Sequence, residues 1–121
     1  MSKRKPVKGV VIRPDGTHEE KLFKQLPDYQ TGVDGTIDAV RLYDYNGLEV
    51  ANLYVNDDGL LIGLPLNPMA SALSFLFGNT PHIVGSVVAV GKADDEGYDT
   101  DLPEYLLTLI RNISAKQEQV A

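Results

Sequence analysis

Hydrophobic and polar positions alternate in short runs along most of this chain. Val7 to Arg13 is β-branched and apolar, and predicts a strand. Pro14-Asp15-Gly16 supplies turn chemistry, and Thr17 to Phe23 predicts a polar partner strand at a sheet edge. Gln25 to Thr31 predicts one or two helical turns, with Pro27 near the start and Gly32 as the stop. Thr36 to Tyr43 predicts a strand, and Asn46-Gly47 is a strong hairpin signal leading into a partner strand over Leu48 to Val55. Asn56-Asp57-Asp58-Gly59 predicts a second turn, with Gly59 in a left-handed conformation, and Leu60 to Leu64 a short buried strand.

From Gly59 to Gly91 no Lys, Arg, Asp or Glu occurs. A membrane-crossing helix needs about 20 apolar residues in one unbroken helix. Pro65 and Pro68 break this run, so a strand, a turn and a buried helix are the better reading. Asn67 is a good N-cap, Pro68 a favoured first residue, and Gly78-Asn79 a stop after Phe77. Ser71 and Ser74 are the only polar side chains of that helix, which predicts burial on most sides. A homodimer is one way to cover it. Ile83 to Val90 predicts a central strand covered on both faces, with Gly85 marking the close approach of a neighbour, the helix being one candidate. After the acidic loop 92–101, Asp101 predicts the cap of a final helix that runs to about Ser114. The order is β-β-α-β-β-β-α-β-α. It predicts an α+β fold, with a mostly antiparallel sheet of about five or six strands and two main helices on it.

The 121 residues suit one domain, expected over 7–114, between a basic arm at 1–6 and a polar tail at 115–121. The net charge is -6. Setting aside Lys3, Arg4, Lys5 and Lys8 leaves 7 basic residues against 17 acidic ones, a body near -10. Such a body repels phosphate, which argues against nucleic acid as the partner. The absence of cysteine excludes disulfides and thiolate chemistry and suits a reducing cytoplasm. The short apolar run after the basic start does not make a secretory signal.

No catalytic set emerges. His18 and His82 lack partners at metal-ligand spacing, and Ser86 lacks a nucleophile-elbow context. Gly32-Val33-Asp34-Gly35 is not a phosphate loop. Neither a cofactor nor a metal is expected. The acidic loop does not match calcium-binding spacing. It offers Asp94, Asp95, Glu96 and Asp99 around Tyr98, a residue type enriched at interface hot spots. Asn56 in its turn and Asn67 at a helix start are alternative ligand-binding positions, although turn geometry and helix capping also account for them.

Three motifs carry a family resemblance: Tyr54-Val55-Asn56-Asp57-Asp58-Gly59, Gly63-Leu64-Pro65-Leu66-Asn67-Pro68-Met69-Ala70, and Ile83-Val84-Gly85 leading to Gly91. They resemble the domain-of-unknown-function family numbered 3846, over about Val7 to Gly91, with the acidic loop and final helix outside. The resemblance implies a small protein of a bacteriophage or bacterial mobile element, and no catalytic residues. The expectation is a non-enzymatic protein that binds a host protein in the cytoplasm through the acidic loop. The alternative is a binder of a small nucleotide-like molecule near Asn67.

Overall fold

The computed structural model describes residues 5–120, with side chains described for 5–114. The elements in order are β1 (Val7–Ile12), β2 (His18–Phe23), α1 (Leu26–Val33), β3 (Ile37–Tyr43), β4 (Glu49–Asn56), α2 (Pro68–Leu76), β5 (Val87–Gly91) and α3 (Glu104–Val120). Five strands form one antiparallel sheet in the order β2-β1-β5-β4-β3. The fold is α+β, as the sequence implies. The polar β2 and the strand β3 are its edges, and β5 is its centre. Every residue of β5 is buried, because helices cover both sheet faces.

The period-2 alternation of the central strands sorts their side chains into two cores. Val10, Ile12, Ala51, Leu53, Val87 and Ala89 face α2 and α3. Val11, Val88 and Val90 face α1, where Phe23, Tyr29 and Val33 complete a smaller core. Phe23 and Tyr29 stack at 5.2 Å, and Tyr29 meets Tyr54 edge-on at 5.0 Å. Gly32 lets α1 lie flat on the sheet: a Cβ there would sit 2.5 Å from Val88 Cγ2. It does not stop the helix. α1 continues to Val33, and Asp34 takes the left-handed cap with φ 64°.

Five other expectations change. Leu60 to Leu64 is not a buried strand; 57–63 is a turn segment, and Gly63 rather than Gly59 takes positive φ. Ile83 to Ser86 lies outside β5, because Gly85 at φ 74° turns the chain. Its close neighbour is Leu64, not the helix. α2 is buried on one side only. Ser71 and Ser74 point inward, while Phe75 and Leu76 are exposed. Ser71 Oγ explains this inversion, since it accepts from Ile83 N (2.9 Å) and donates to Ile83 O (3.1 Å), taking the part of a neighbouring strand. Finally, Asp101 does not cap α3. Its carboxylate accepts from Lys8 N (2.8 Å), Leu102 N donates to Lys8 O, and α3 starts at Glu104. α3 also continues to Val120, through most of the stretch expected as a tail. Of the expected basic arm, residues 1–4 lie outside the described residues; Lys5 and Pro6 are exposed.

Candidate interaction surfaces

Asn67 and Asn56 are placed by the chain reversals around them, and their side chains are already engaged. Asn67 is fully buried. Its Oδ1 accepts from Ala70 N (3.0 Å) at the start of α2, and its Nδ2 donates to Ile12 O (3.0 Å) and Gly85 O (2.9 Å). One side chain thus ties α2 to β1 and to the approach to β5. Asn56 accepts from Asp58 N (2.8 Å) and donates to Val33 O (3.2 Å) and Asp34 O (3.3 Å), fixing the end of β4 to the end of α1. Both amides bond within the fold; Asn67 is fully enclosed, whereas Asn56 also lines the groove beside the turn after β4.

The five acidic-loop positions divide by role. Asp94 organises the loop by accepting from Glu96 N (2.9 Å) and Tyr98 N (3.0 Å). Asp99 anchors it, accepting from the Tyr54 hydroxyl at 2.8 Å. Burial pushes the Tyr54 hydroxyl pKa well up, and the hydrogen bond to Asp99 and the charge of Asp99 push it further. Tyr29 is shifted the same way, by burial first and then by the Asp99 charge. Asp95 and Glu96 stay outward, beside a half-exposed Tyr98. Among the described residues no group of three or more His, Asp or Glu side chains could hold a metal ion. No described helix is long and apolar enough to cross a membrane.

The surface that sequence reasoning missed is the turn after β4. Leu60, Leu61 and Ile62 are 68%, 86% and 61% exposed, three consecutive large apolar side chains in water. Leu66 beyond them is half-exposed. The turn is well built: Ile62 N donates to Asp58 O, and Leu64 N to Gly59 O. Beside it lies a groove of about 220 Å³ with Val40, Val55, Leu60 and Ile83 in its wall and Asp38 and Asp57 at its rim. Asp57 and Asp58 open the turn, and no Lys or Arg occurs between Arg41 and Lys92. The available signal was Gly63. A glycine four residues after Gly59 marks a second reversal, which leaves too little chain for a strand.

Comparison with known proteins returns one family, described as a domain of unknown function (DUF3846), matched over residues 7–114. No curated protein and no solved structure matches the chain. The family match runs beyond Gly91, so the acidic loop and α3 as far as Ser114 lie inside it, contrary to the shorter extent read from the three motifs. With 7–114 of its 121 residues covered, the chain belongs to the DUF3846 family.

Proposed function

We propose that the chain is a protein-binding module that docks through the Leu60–Leu61–Ile62 turn and the groove beside it. The carrying observation is the exposure of these three adjacent apolar residues on a hydrogen-bonded turn. Each large aliphatic side chain gains roughly 1.5–3 kcal/mol when fully buried, and an ordered turn loses little entropy on docking. The partner surface is apolar with a basic rim, because Asp38, Asp57 and Asp58 flank the turn and groove. The same carboxylates disfavour a second copy, which would bring like charges together. On this reading the protein is an accessory protein of a phage or mobile element, acting on a host protein without catalysis. Asp95, Glu96 and Tyr98 form a second exposed surface and serve as the comparison.

The test is affinity capture from a bacterial lysate with three baits: the wild type, Leu61→Asp with Ile62→Asp, and Asp95→Lys with Glu96→Lys and Tyr98→Ala. A protein held in stoichiometric amount by the first and third baits but not the second is the expected result. Equal retention by all three would refute the turn as the docking element. A small added mass on the purified protein, seen by native mass spectrometry, would favour the nucleotide-like ligand instead.

A further inference from the structure

Strand alternation collects four side chains on one face where β3 begins and β4 ends. Asp38 lies opposite Val55, and Asp57 N donates to Thr36 O (2.8 Å), which carries the ladder one step beyond β4. Asp38 and Val40 on one strand and Val55 and Asp57 on the other therefore point to the same side, where Val40 and Val55 meet the larger core. Asp38 and Asp57 are diagonal neighbours across this pair, about 7–8 Å apart. They stand at the rim of the groove of about 220 Å³ beside the turn, whose wall holds Val40, Val55, Leu60 and Ile83.

Neither carboxylate has a cationic partner among the described residues. Both side chains are exposed. Asp38 Oδ1 accepts from the adjacent Ala39 N (2.8 Å), which leaves Oδ2 open, and the Asp57 carboxylate accepts from no group among the described residues. Arg41, the one basic residue of β3, falls on the opposite face by alternation and is held by Glu49 at 3.2 Å. No Lys or Arg follows it until Lys92. His82 also lines the groove, and its ring makes no hydrogen bond or ion pair among the described residues. The groove thus has an apolar wall and an uncompensated negative rim.

We infer that this groove seats an arginine side chain of the docking partner. The methylenes of that side chain lie along Val40, Val55 and Leu60, and its guanidinium bridges Asp38 and Asp57. Long cationic side chains bury an apolar stem in this way while the charged head stays at the rim. Arginine fits better than lysine. A planar group with five N–H donors serves two separated carboxylates at once, whereas an ammonium is a compact point charge. The guanidinium is also more weakly hydrated, so less is lost when it leaves water. A second copy of this chain does not supply it, because the described arginines, Arg13, Arg41 and Arg111, are each bonded to a glutamate. The inference rests on the docking reading above, and names what the groove grips while the partner buries Leu61 and Ile62.

The test titrates the full chain with Nα-acetyl-arginine amide and follows the methyl NMR signals of Val40, Val55, Leu60 and Ile83. The expected result is saturable shifts of these signals with a Kd on the order of 1 mM, the range that ligand efficiency allows a probe of this size. Citrulline in the same capped form keeps the shape without the charge, and binds roughly tenfold more weakly or not at all. Asp57→Asn keeps the backbone bond to Thr36 O and weakens arginine binding roughly three- to tenfold. Asp95→Lys with Glu96→Lys leaves it nearly unchanged at physiological salt, where distant charges are screened. Shifts that do not saturate, that fall on other residues, or that are equal for citrulline would overturn the inference, as would undiminished binding by Asp57→Asn. Capped lysine bound as tightly as arginine would overturn the guanidinium. Free arginine bound far more tightly than the capped form would overturn the partner, by assigning the groove to a small molecule. Failure of the probe, with capture still lost in Leu61→Asp with Ile62→Asp, would remove this inference and leave the docking reading. Binding of the probe, with capture indifferent to that double variant, would remove the turn as the docking element and leave the groove.

Discussion

Replacing Asn67 by alanine tests whether this residue holds the fold or waits for a ligand. The change removes three buried hydrogen bonds, to Ala70 N, Ile12 O and Gly85 O. Losing the cap costs about 1 kcal/mol. Each stranded carbonyl costs about 1 kcal/mol at the low end, suitable here because a carbonyl oxygen has a second lone pair. The total is about 3 kcal/mol. For 121 residues the unfolding entropy near the midpoint is roughly 0.25 kcal/mol/K, so the melting temperature falls by about 12 °C. In urea, with a slope of roughly 1.5 kcal/mol/M, the midpoint falls by about 2 M without a change in slope. Asn67→Ser keeps a cap acceptor and loses the two donors, so it costs about 2 kcal/mol. An alanine cost near 1 kcal/mol, equal to the cap alone, would refute the role assigned to Nδ2.

The remaining predictions concern packing, the acidic loop and pH. Gly32→Ala drives a Cβ against Val88 and lowers stability by about 1–3 kcal/mol, read by urea unfolding. Ser74→Ala removes a buried hydroxyl that has no partner among the described residues, and raises stability by about 0.5–1 kcal/mol in the same assay. Tyr54→Phe breaks the bond to Asp99 and costs about 1 kcal/mol or slightly more, with faster hydrogen exchange across residues 94–99. Tyr29 and Tyr54 have hydroxyl pKa values raised in the folded state above the ordinary value of 10.0. Above pH 10 the unfolded chain releases these protons while the folded chain keeps them. Stability is thus fully present below pH 10 and is lost as pH rises past it, which alkaline titration of unfolding measures directly. A flat stability profile above pH 10 would contradict the burial of both hydroxyls.

The parts of the fold that followed from local chemistry were legible in the sequence. Asn46-Gly47 marked the β3–β4 hairpin, and the polar character of Thr17 to Phe23 marked an edge strand. Asn67-Pro68 gave the start of α2, confirmed by the bond from Ala70 N. What failed depended on contacts distant in sequence. The apolar composition of α2 predicted burial on most sides, yet Ser71 takes an inward position because Ile83 offers both a donor and an acceptor there, and Phe75 and Leu76 are left exposed. Asp101 looked like a cap but is taken by Lys8, 93 residues away. Leu60 to Leu64 looked buried because its residues are apolar, and apolar composition carries no information on whether a surface lies opposite. The candidate sites follow the same division. Asn56 and the Asp94 turn were readable as local geometry, whereas the bond from Tyr54 to Asp99 and the placing of Asp38 and Asp57 at one groove arise only once the strands are ordered.

The central claim is that this protein works by docking through the turn after β4. The most direct measurement places a photo-crosslinking amino acid at Leu61, and separately at Asp95, and irradiates cells producing each form. The account predicts one abundant crosslinked protein from position 61 and little from position 95. A crosslink from position 95 with none from position 61, or none from either, would contradict it.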